Sequence, residues 1–231
     1  MEQMLMNVKL ISYSMVSKEL FDADNSLRDV QGLIAYCARV SNPSNQINSE
    51  TSEKLIKYLI KHQHWSPLEM VNACLEIQTT RDIAHQIVRH RSFSFQEFSQ
   101  RYANPEEQGE MFEYSEARLQ DTKNRQNSID VDDEKLQLDW LHAQMRIAYL
   151  AKKEYDWAIK NGIAKEQARK VLPEGITKTK LYMNGTLRSW VHYIQLRGAN
   201  GTQKEHMEIA HACAKVISEI FPLMNNLREE K

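Results

Sequence analysis

Residues 80–102 read TRDIAHQIVRHRSFSFQEFSQRY. At about 100° per residue, Ile83, Ala84, Ile87 and Val88 fall on one arc of a helix, and His85, Gln86, Arg89 and His90 on the opposite one. One face is built for a core. A merely solvated opposite face more often carries Lys and Glu, so two histidines, a glutamine and an arginine together read as a recognition surface. The next eleven residues hold Arg91, Ser92, Ser94, Gln96, Glu97, Ser99 and Arg101, interleaved with Phe93, Phe95 and Phe98. Forked guanidiniums and hydroxyls hold phosphates where no glycine loop exists. A surface salt-bridge cluster explains any single arginine here equally well, but explains the whole segment poorly.

Upstream, Val71 to Thr79 alternates apolar with polar residues, a strand pattern. Residues 7–14 partly alternate as well and predict an opening strand, and Leu33 to Val40 reads as a short apolar helix before a Ser-Asn-Pro-Ser turn. Leu55, Tyr58, Leu59 and His62 have helical spacing, with Asn48 or Ser49 as candidate caps. Ser66-Pro67-Leu68-Glu69 has the pattern of a capping box. Downstream, Leu136 to Ile159 and Ala164 to Leu172 are predicted helices, the second ended by Pro173. Leu181 to Leu196 reads as a strand turning into a helix. Thr202 to Glu205 reads as a capping box before a final helix with the stripe Ile209, Cys213, Val216, Ile217 and Ile220. The elements predict a single α/β or mixed α+β domain over 1–231, a central mixed sheet flanked by helices with a helical excursion.

Residues 104–134 differ from the rest, with ten acidic and three basic side chains, and are expected to form a long, solvated and partly mobile excursion. Removing its charge of −7 from the total of −1 leaves the remainder at +6, a balance suited to anionic small ligands. The 42% hydrophobic content over 231 residues excludes wholesale disorder. No apolar run approaches the ~18 residues of a membrane span, and Met1 to Lys9 lacks the pattern of a secretory signal. The seven glycines form neither a Walker loop nor a dinucleotide-binding turn. Cys37, Cys74 and Cys213 are odd in number, widely spaced and set among apolar residues. They read as reduced packing thiols of a cytoplasmic, intracellular protein. No HExxH or Cys/His zinc spacing accompanies His62, His64, His206 and His211, so no metal is expected.

Arg89-His90-Arg91-x-x-Ser94-x-Gln96-Glu97-x-Ser99-x-Arg101 resembles the RHRxxSxNExSxR signature of the flavin-dependent thymidylate synthases, with Gln96 where that family usually has Asn. Ala38-Arg39-Val40-Ser41, His64-Trp65-Ser66-Pro67, residues 168–173, Leu187-Arg188-Ser189, and Leu196-Arg197 followed by Gln203-Lys204-Glu205 also look like the family, in its order. The resemblance spans roughly residues 33–221 apart from the acidic excursion.

The resemblance implies conversion of dUMP to dTMP, with carbon from methylenetetrahydrofolate, hydride from FADH2, and NADPH re-reducing the flavin. It implies a homotetramer whose active sites are shared between subunits, with no nucleic acid or membrane partner. By the same analogy Arg101, Ser99 and the backbone near Gln100 hold the dUMP phosphate, with Arg169 reaching in from another subunit. Gln86 and Arg197 address the uracil and ribose, Arg197 being the candidate catalytic cation. Arg89 and Glu97 border both nucleotide and flavin. Ser41, His64, Ser66, His90, Arg91, Gln96, Thr186 and His192 complete the FAD pocket. Ser99 has no evident activating base, so no covalent protein nucleophile is expected. The competing reading is a nucleic-acid-binding module that uses residues 81–102 for phosphate contact and base stacking, against which stands the near-zero net charge.

Overall fold

The alternation over residues 72–80 becomes strand β2 (Asn72–Thr80), paired antiparallel with β6 (Lys178–Thr186) along its whole length. In the computed structural model, which describes residues 8–23, 27 and 29–225, two more strands flank this pair. β1 (Val8–Tyr13) lies beside β2, and β3 (Ser94–Glu97) beside β6, giving the order β1-β2-β6-β3. All three pairings are antiparallel, so the sheet expected to be mixed is not, although the α+β class holds. Ala73, Leu75, Ile77, Leu181 and Met183 point to one face and are buried there. Tyr182, paired with Glu76, is exposed on the other. Helices cover only the first face.

That cover is α2 (Val30–Ala38), α3 (Ser52–Lys61), α4 (Arg81–Ile87), α7 (Leu187–Arg197) and α8 (Lys204–Ser218), preceded in the chain by the short α1 (Lys18–Ala23). Their apolar stripes form one cluster with the sheet, centred on Ile34, Ile56, Leu68, Ile77, Trp190 and Ile217. Of the stripe expected on the last helix, Ile209, Cys213, Val216 and Ile217 are buried, while Ile220 lies past the end of α8 and is partly buried. In α4, Ile83, Ala84 and Ile87 are buried as predicted, but Val88 caps the helix end and is exposed.

A second, smaller cluster joins α5 (Glu134–Lys160) to α6 (Lys165–Ala168) through Tyr155, Ala158, Ala168 and Met111. The helix expected over 164–172 is therefore split, with a 3₁₀ turn at Arg169–Val171 taking over after four residues. The opening strand expected over 7–14 is present as β1 (Val8–Tyr13), while Asn7, and with it most of Met1 to Lys9, lies outside the described residues.

The capping predictions fail for a shared reason. Ser66–Met70 is a 3₁₀ turn without a side-chain cap, and Glu69 is bound by Arg188 instead. Gln203, not Thr202, is the N-cap of α8, and Glu205, three residues after Thr202, accepts from Arg118 at 2.5 Å. Neither Asn48 nor Ser49 caps α3; the N-cap is Thr51, whose hydroxyl accepts from Arg39 at 2.8 Å. Charge-assisted bonds to distant cations outcompete local capping geometry.

The acidic excursion is a built structure. Its strands β4 (Arg118–Gln120) and β5 (Ser128–Asp130) form a hairpin. Lys204 at the start of α8 reaches both Glu116 (2.6 Å) and Asp130 (3.1 Å). Lys152 of α5 binds Glu106 at 2.6 Å, and Gln144 exchanges hydrogen bonds with the backbone of Ser115. The acidic side chains stay largely exposed, as expected, but Glu106, Glu116 and Asp130 tether the segment to α5 and α8.

Candidate active site

The polar turn after α4 is held by α7 at two points. The Ser189 hydroxyl donates to the Ser92 carbonyl at 3.3 Å, and Arg197 Nε donates to His90 Nε2 at 2.9 Å. Accepting at Nε2 requires a neutral His90 with its proton on Nδ1. Burial, followed by the Arg197 and Arg89 guanidiniums, pushes its pKa down to about 4. Arg197 spends only Nε on this bond, so the outer edge of its fork remains for a ligand.

Gln86, one turn before His90, donates from Nε2 to Gln203 Oε1 at 2.7 Å. Its Oε1 faces Nδ1 of the fully buried His206 at 3.3 Å. Gln86–His206 and His90–Arg197 are thus two hydrogen-bonded pairs, and the edge-on packing of His90 against Tyr193 at 4.9 Å brings them together.

β3 separates the next motif residues by its two-residue period. Gln96 is paired with Tyr182 on the open face of the sheet. Glu97 lies on the covered face, where its Oε1 accepts from Thr179 (2.9 Å) and Arg81 (3.2 Å). Arg81 also contacts His85 Nε2, whose Nδ1 meets Glu174 at 3.0 Å. The polar face of α4 is therefore largely occupied by bonds within the chain, and Phe93 is buried against Trp190 at 4.9 Å between centroids. Phe93 is thereby committed to the core and not to base stacking.

Beyond β3 the chain turns at Ser99. Among the described residues the amides of Ser99, Gln100 and Arg101 have no backbone partner, and the buried Gln100 Nε2 has no hydrogen bond. A buried donor is seldom left without an acceptor, so Gln100 Nε2, together with the neighbouring amides of half-buried Ser99 and exposed Arg101, fits an anion seated at the turn. Arg101 rests loosely, 3.6 Å from Glu166 and over the Tyr102 ring. Its contact with Glu166 sets α6 beside it in the same chain, with Arg169 opening the 3₁₀ turn that follows.

The remaining predicted residues gather at the start of α7. Thr186 caps this helix, accepting from the Ser189 amide at 3.2 Å. His192 packs edge-on against Trp65 at 4.6 Å, and Arg188 binds Glu69, which brings the exposed His64 and Ser66 to the same corner. Burial and Arg188 lower the His192 pKa. Ser41 is exposed beyond the end of α2, apart from any described bond to these groups.

Three comparisons bear on this arrangement. The family description "Thymidylate synthase complementing protein" matches residues 23–223. The chain is 48% identical over 217 residues to the probable flavin-dependent thymidylate synthase of Paramecium bursaria Chlorella virus 1, covering 94% of this chain and 96% of that protein. It is equally identical, over the same share of each chain, to the flavin-dependent thymidylate synthase of Synechocystis sp.. The chain belongs to the flavin-dependent thymidylate synthases. A solved structure of the UMP/dUMP methylase PolB from Streptomyces cacaoi, bound with 5-Br dUMP, superposes with a TM-score of 0.74 over 95% of this chain and 93% of that one. At 21% identity it shows the shared fold alone.

For a flavin-dependent thymidylate synthase, the cationic turn fits its cofactor. Among the described residues Arg89, Arg91 and Arg169 make no ion pair. Uncompensated guanidiniums beside neutral imidazoles suit a ligand with a charged tail and a flat, hydrogen-bonding ring. In this flavin-dependent thymidylate synthase the residues to which the sequence assigned no role in the site are His206, Tyr193, Gln203 and Arg81. Spacing alone does not reveal them, because His206 occupies a position of the buried α8 stripe.

The three cysteines are free, and burial raises the pKa of each thiol. A raised pKa keeps thiols out of the nucleophilic thiolate form. Replacing all three with Ala or Ser is expected to leave measurable turnover in folded protein. Complete inactivity of such a variant would revive a thiol mechanism. Among the described residues no helix is long and apolar enough to cross a membrane.

Proposed function

We propose that the chain reductively methylates dUMP to dTMP inside the cell, taking carbon from methylenetetrahydrofolate and hydride from FADH2, with NADPH restoring the reduced flavin. The reading rests chiefly on one observation: the orphaned amides at Ser99–Arg101 lie on the same signature segment as the Arg197–His90 pair. The first group suits a nucleotide phosphate and the second its base. When bound, FAD supplies the hydride. The residues proposed to hold it are Ser41, His64, Ser66, Arg89, His90, Arg91, Gln96, Glu97, Thr186 and His192.

In this reading Arg101, Ser99 and Gln100 seat the phosphate, and Arg89 and Glu97 border the nucleotide; Arg169, which the resemblance draws from a neighbouring subunit, follows an α6 that lies beside Arg101 in its own chain. Gln86 and Arg197 meet the pyrimidine. Negative charge developing on the ring falls beside a guanidinium already fixed by His90, so little reorganisation is needed during the reaction. Neutral His90 can accept from Arg197 without setting a second, repelling positive charge beside it.

A homotetramer with shared sites fits two features. Gln96 and Glu97 face opposite sides of the sheet, so one protomer does not enclose the signature. Helix α5 leaves Leu138, Trp140, Ile147, Tyr149, Leu150 and Trp157 exposed, an apolar surface suited to a second copy.

Tritium release from 5-tritiated dUMP with FAD, NADPH and methylenetetrahydrofolate tests the reaction. Its absence from flavin-loaded protein overturns the reading. Arg101→Ala is expected to weaken dUMP binding about tenfold or more, the scale of a lost charge-assisted hydrogen bond, while leaving flavin bound. Calorimetry with dUMP and the flavin absorbance check this, and loss of flavin alone contradicts the assignment.

A further inference from the structure

Two polar side chains outside the signature are buried where α7 meets α8. Tyr193 is 1% exposed and His206 fully buried, and the Tyr193 hydroxyl lies 3.1 Å from His206 Nε2. The other ring nitrogen, Nδ1, lies 3.3 Å from Gln86 Oε1, and Gln86 continues to Gln203 at 2.7 Å. A polar chain this deep is costly unless every member is used.

Its direction follows from its inner end. Among the described residues, His206 is the only hydrogen-bond partner of the Tyr193 hydroxyl. A buried hydroxyl left without an acceptor loses the free energy of desolvating it, so Tyr193 donates to Nε2. The imidazole proton then sits on Nδ1 and is donated to Gln86 Oε1. Gln86 in turn donates one N–H to Gln203 and keeps the other for a ligand. With the carboxamide reversed, Tyr193 would have to accept rather than donate. Burial and the nearby Arg197, His90 and Arg89 hold the His206 pKa at about 3, so the ring stays neutral at ordinary pH.

We propose that His206, oriented by Tyr193, is a positioning residue for base selection. It locks the Gln86 carboxamide with its N–H toward the pyrimidine, so that the site favours a base with a carbonyl at C4 over one with an amino group there. This rests on the reading of Gln86 as a contact to the uracil of dUMP. An N–H donor meets the C4 carbonyl oxygen of uracil favourably and opposes the C4 amino group of cytosine, the kind of mismatch that leaves polar groups unpaired.

The test compares dUMP and dCMP on the full-length, flavin-loaded protein, by calorimetry and by kcat/KM for dUMP. The wild type is expected to bind dUMP about 100-fold or more tighter than dCMP. His206→Leu is expected to lower that ratio about tenfold, chiefly through KM for dUMP, with flavin content retained. His206→Asn, which can place an N–H near the position of Nδ1, is expected to restore most of it. Tyr193→Phe removes only the orienting hydroxyl from a near-isosteric ring and is expected to lower the ratio about threefold, which covers the case of His206→Leu failing to fold. An unchanged ratio in folded Tyr193→Phe and His206→Leu overturns the proposal, as does a wild type that binds the two nucleotides equally. A wild type that binds flavin but no dUMP overturns the reading of the substrate itself, and the selection role with it.

Discussion

Arg197→Ala is expected to lower dUMP turnover about 100- to 1,000-fold, the range typical of removing one preorganised donor from a site of developing charge. The guanidinium is fixed by its bond to His90 Nε2 at 2.9 Å, at the last residue of a helix whose preceding turns are packed in the core. It therefore meets the pyrimidine without having to be ordered first. Arg197→Lys keeps a charge but loses the fork and the Nε donor, and is expected to recover only part of the rate.

The same change should be visible in the free enzyme. The lowered His90 pKa, about 4 against 6.5 for the free imidazole, arises from burial and then from Arg197. With Arg197 gone, the His90 titration should move upward in NMR. A histidine with a depressed pKa favours the folded state while it is neutral. Its stabilising contribution is full above about pH 6.5 and is lost as the pH falls toward 4. The alanine variant should lose less stability over that interval. Turnover within threefold of wild type in folded, flavin-loaded protein would remove Arg197 from the chemistry.

What was legible in the sequence is what periodicity encodes. Ile83, Ala84 and Ile87 announce the buried face of α4, and the alternation from Ala73 to Thr79 announces the central strand, because each pattern is set by the local period of its element. The signature residues were visible as a group for the same reason: they lie close together in the chain. Long-range pairings were not. Glu69 and Glu205 match a local capping motif, but Arg188 and Arg118, 119 and 87 residues away, bind them instead. No window of sequence contains that competition. The acidic excursion is solvated as its charge implies, but the pairing of Glu106 with Lys152 and of Glu116 and Asp130 with Lys204 is equally long-range and equally hidden from any local window.

The two-residue period of β3 was legible yet unused. It splits Gln96 from Glu97 across the sheet, although composition alone groups them. Tyr193 and His206 show the opposite case, in which polar residues at apolar stripe positions look like ordinary packing until a third group, Gln86, is brought to them.

Trp190→Ala is expected to lower the unfolding free energy by about 3–5 kcal/mol, the cost of truncating a large buried aromatic side chain. The Trp190 ring is fully buried at the centre of the main core, edge-on to Phe93 at 4.9 Å and to Tyr193 at 5.9 Å. Its Nε1 donates to the Ala73 carbonyl at 3.0 Å, linking α7 to the central strand. Collapse into the vacated space is opposed on one side by Gly185, whose missing side chain already admits Phe93. A Cβ built there would sit 2.4 Å from the Phe93 ring. The aromatic ring and the glycine are thus two halves of one packing solution, and a cavity left by one is not easily filled by the other.

Trp190→Phe separates the components of this loss. It keeps most of the apolar contact and forfeits the hydrogen bond to Ala73, so a smaller loss of about 1–2 kcal/mol is expected. Urea unfolding followed by circular dichroism distinguishes the two variants, and a loss below about 1 kcal/mol for Trp190→Ala would contradict the packing described. Because Ser189 and Tyr193 flank this residue on α7, the damage should extend to the site. Loosening the core frees the turn at Ser92 and the His206 chain together, so the alanine variant is expected to lose dUMP affinity as well as stability, at temperatures well below its unfolding midpoint.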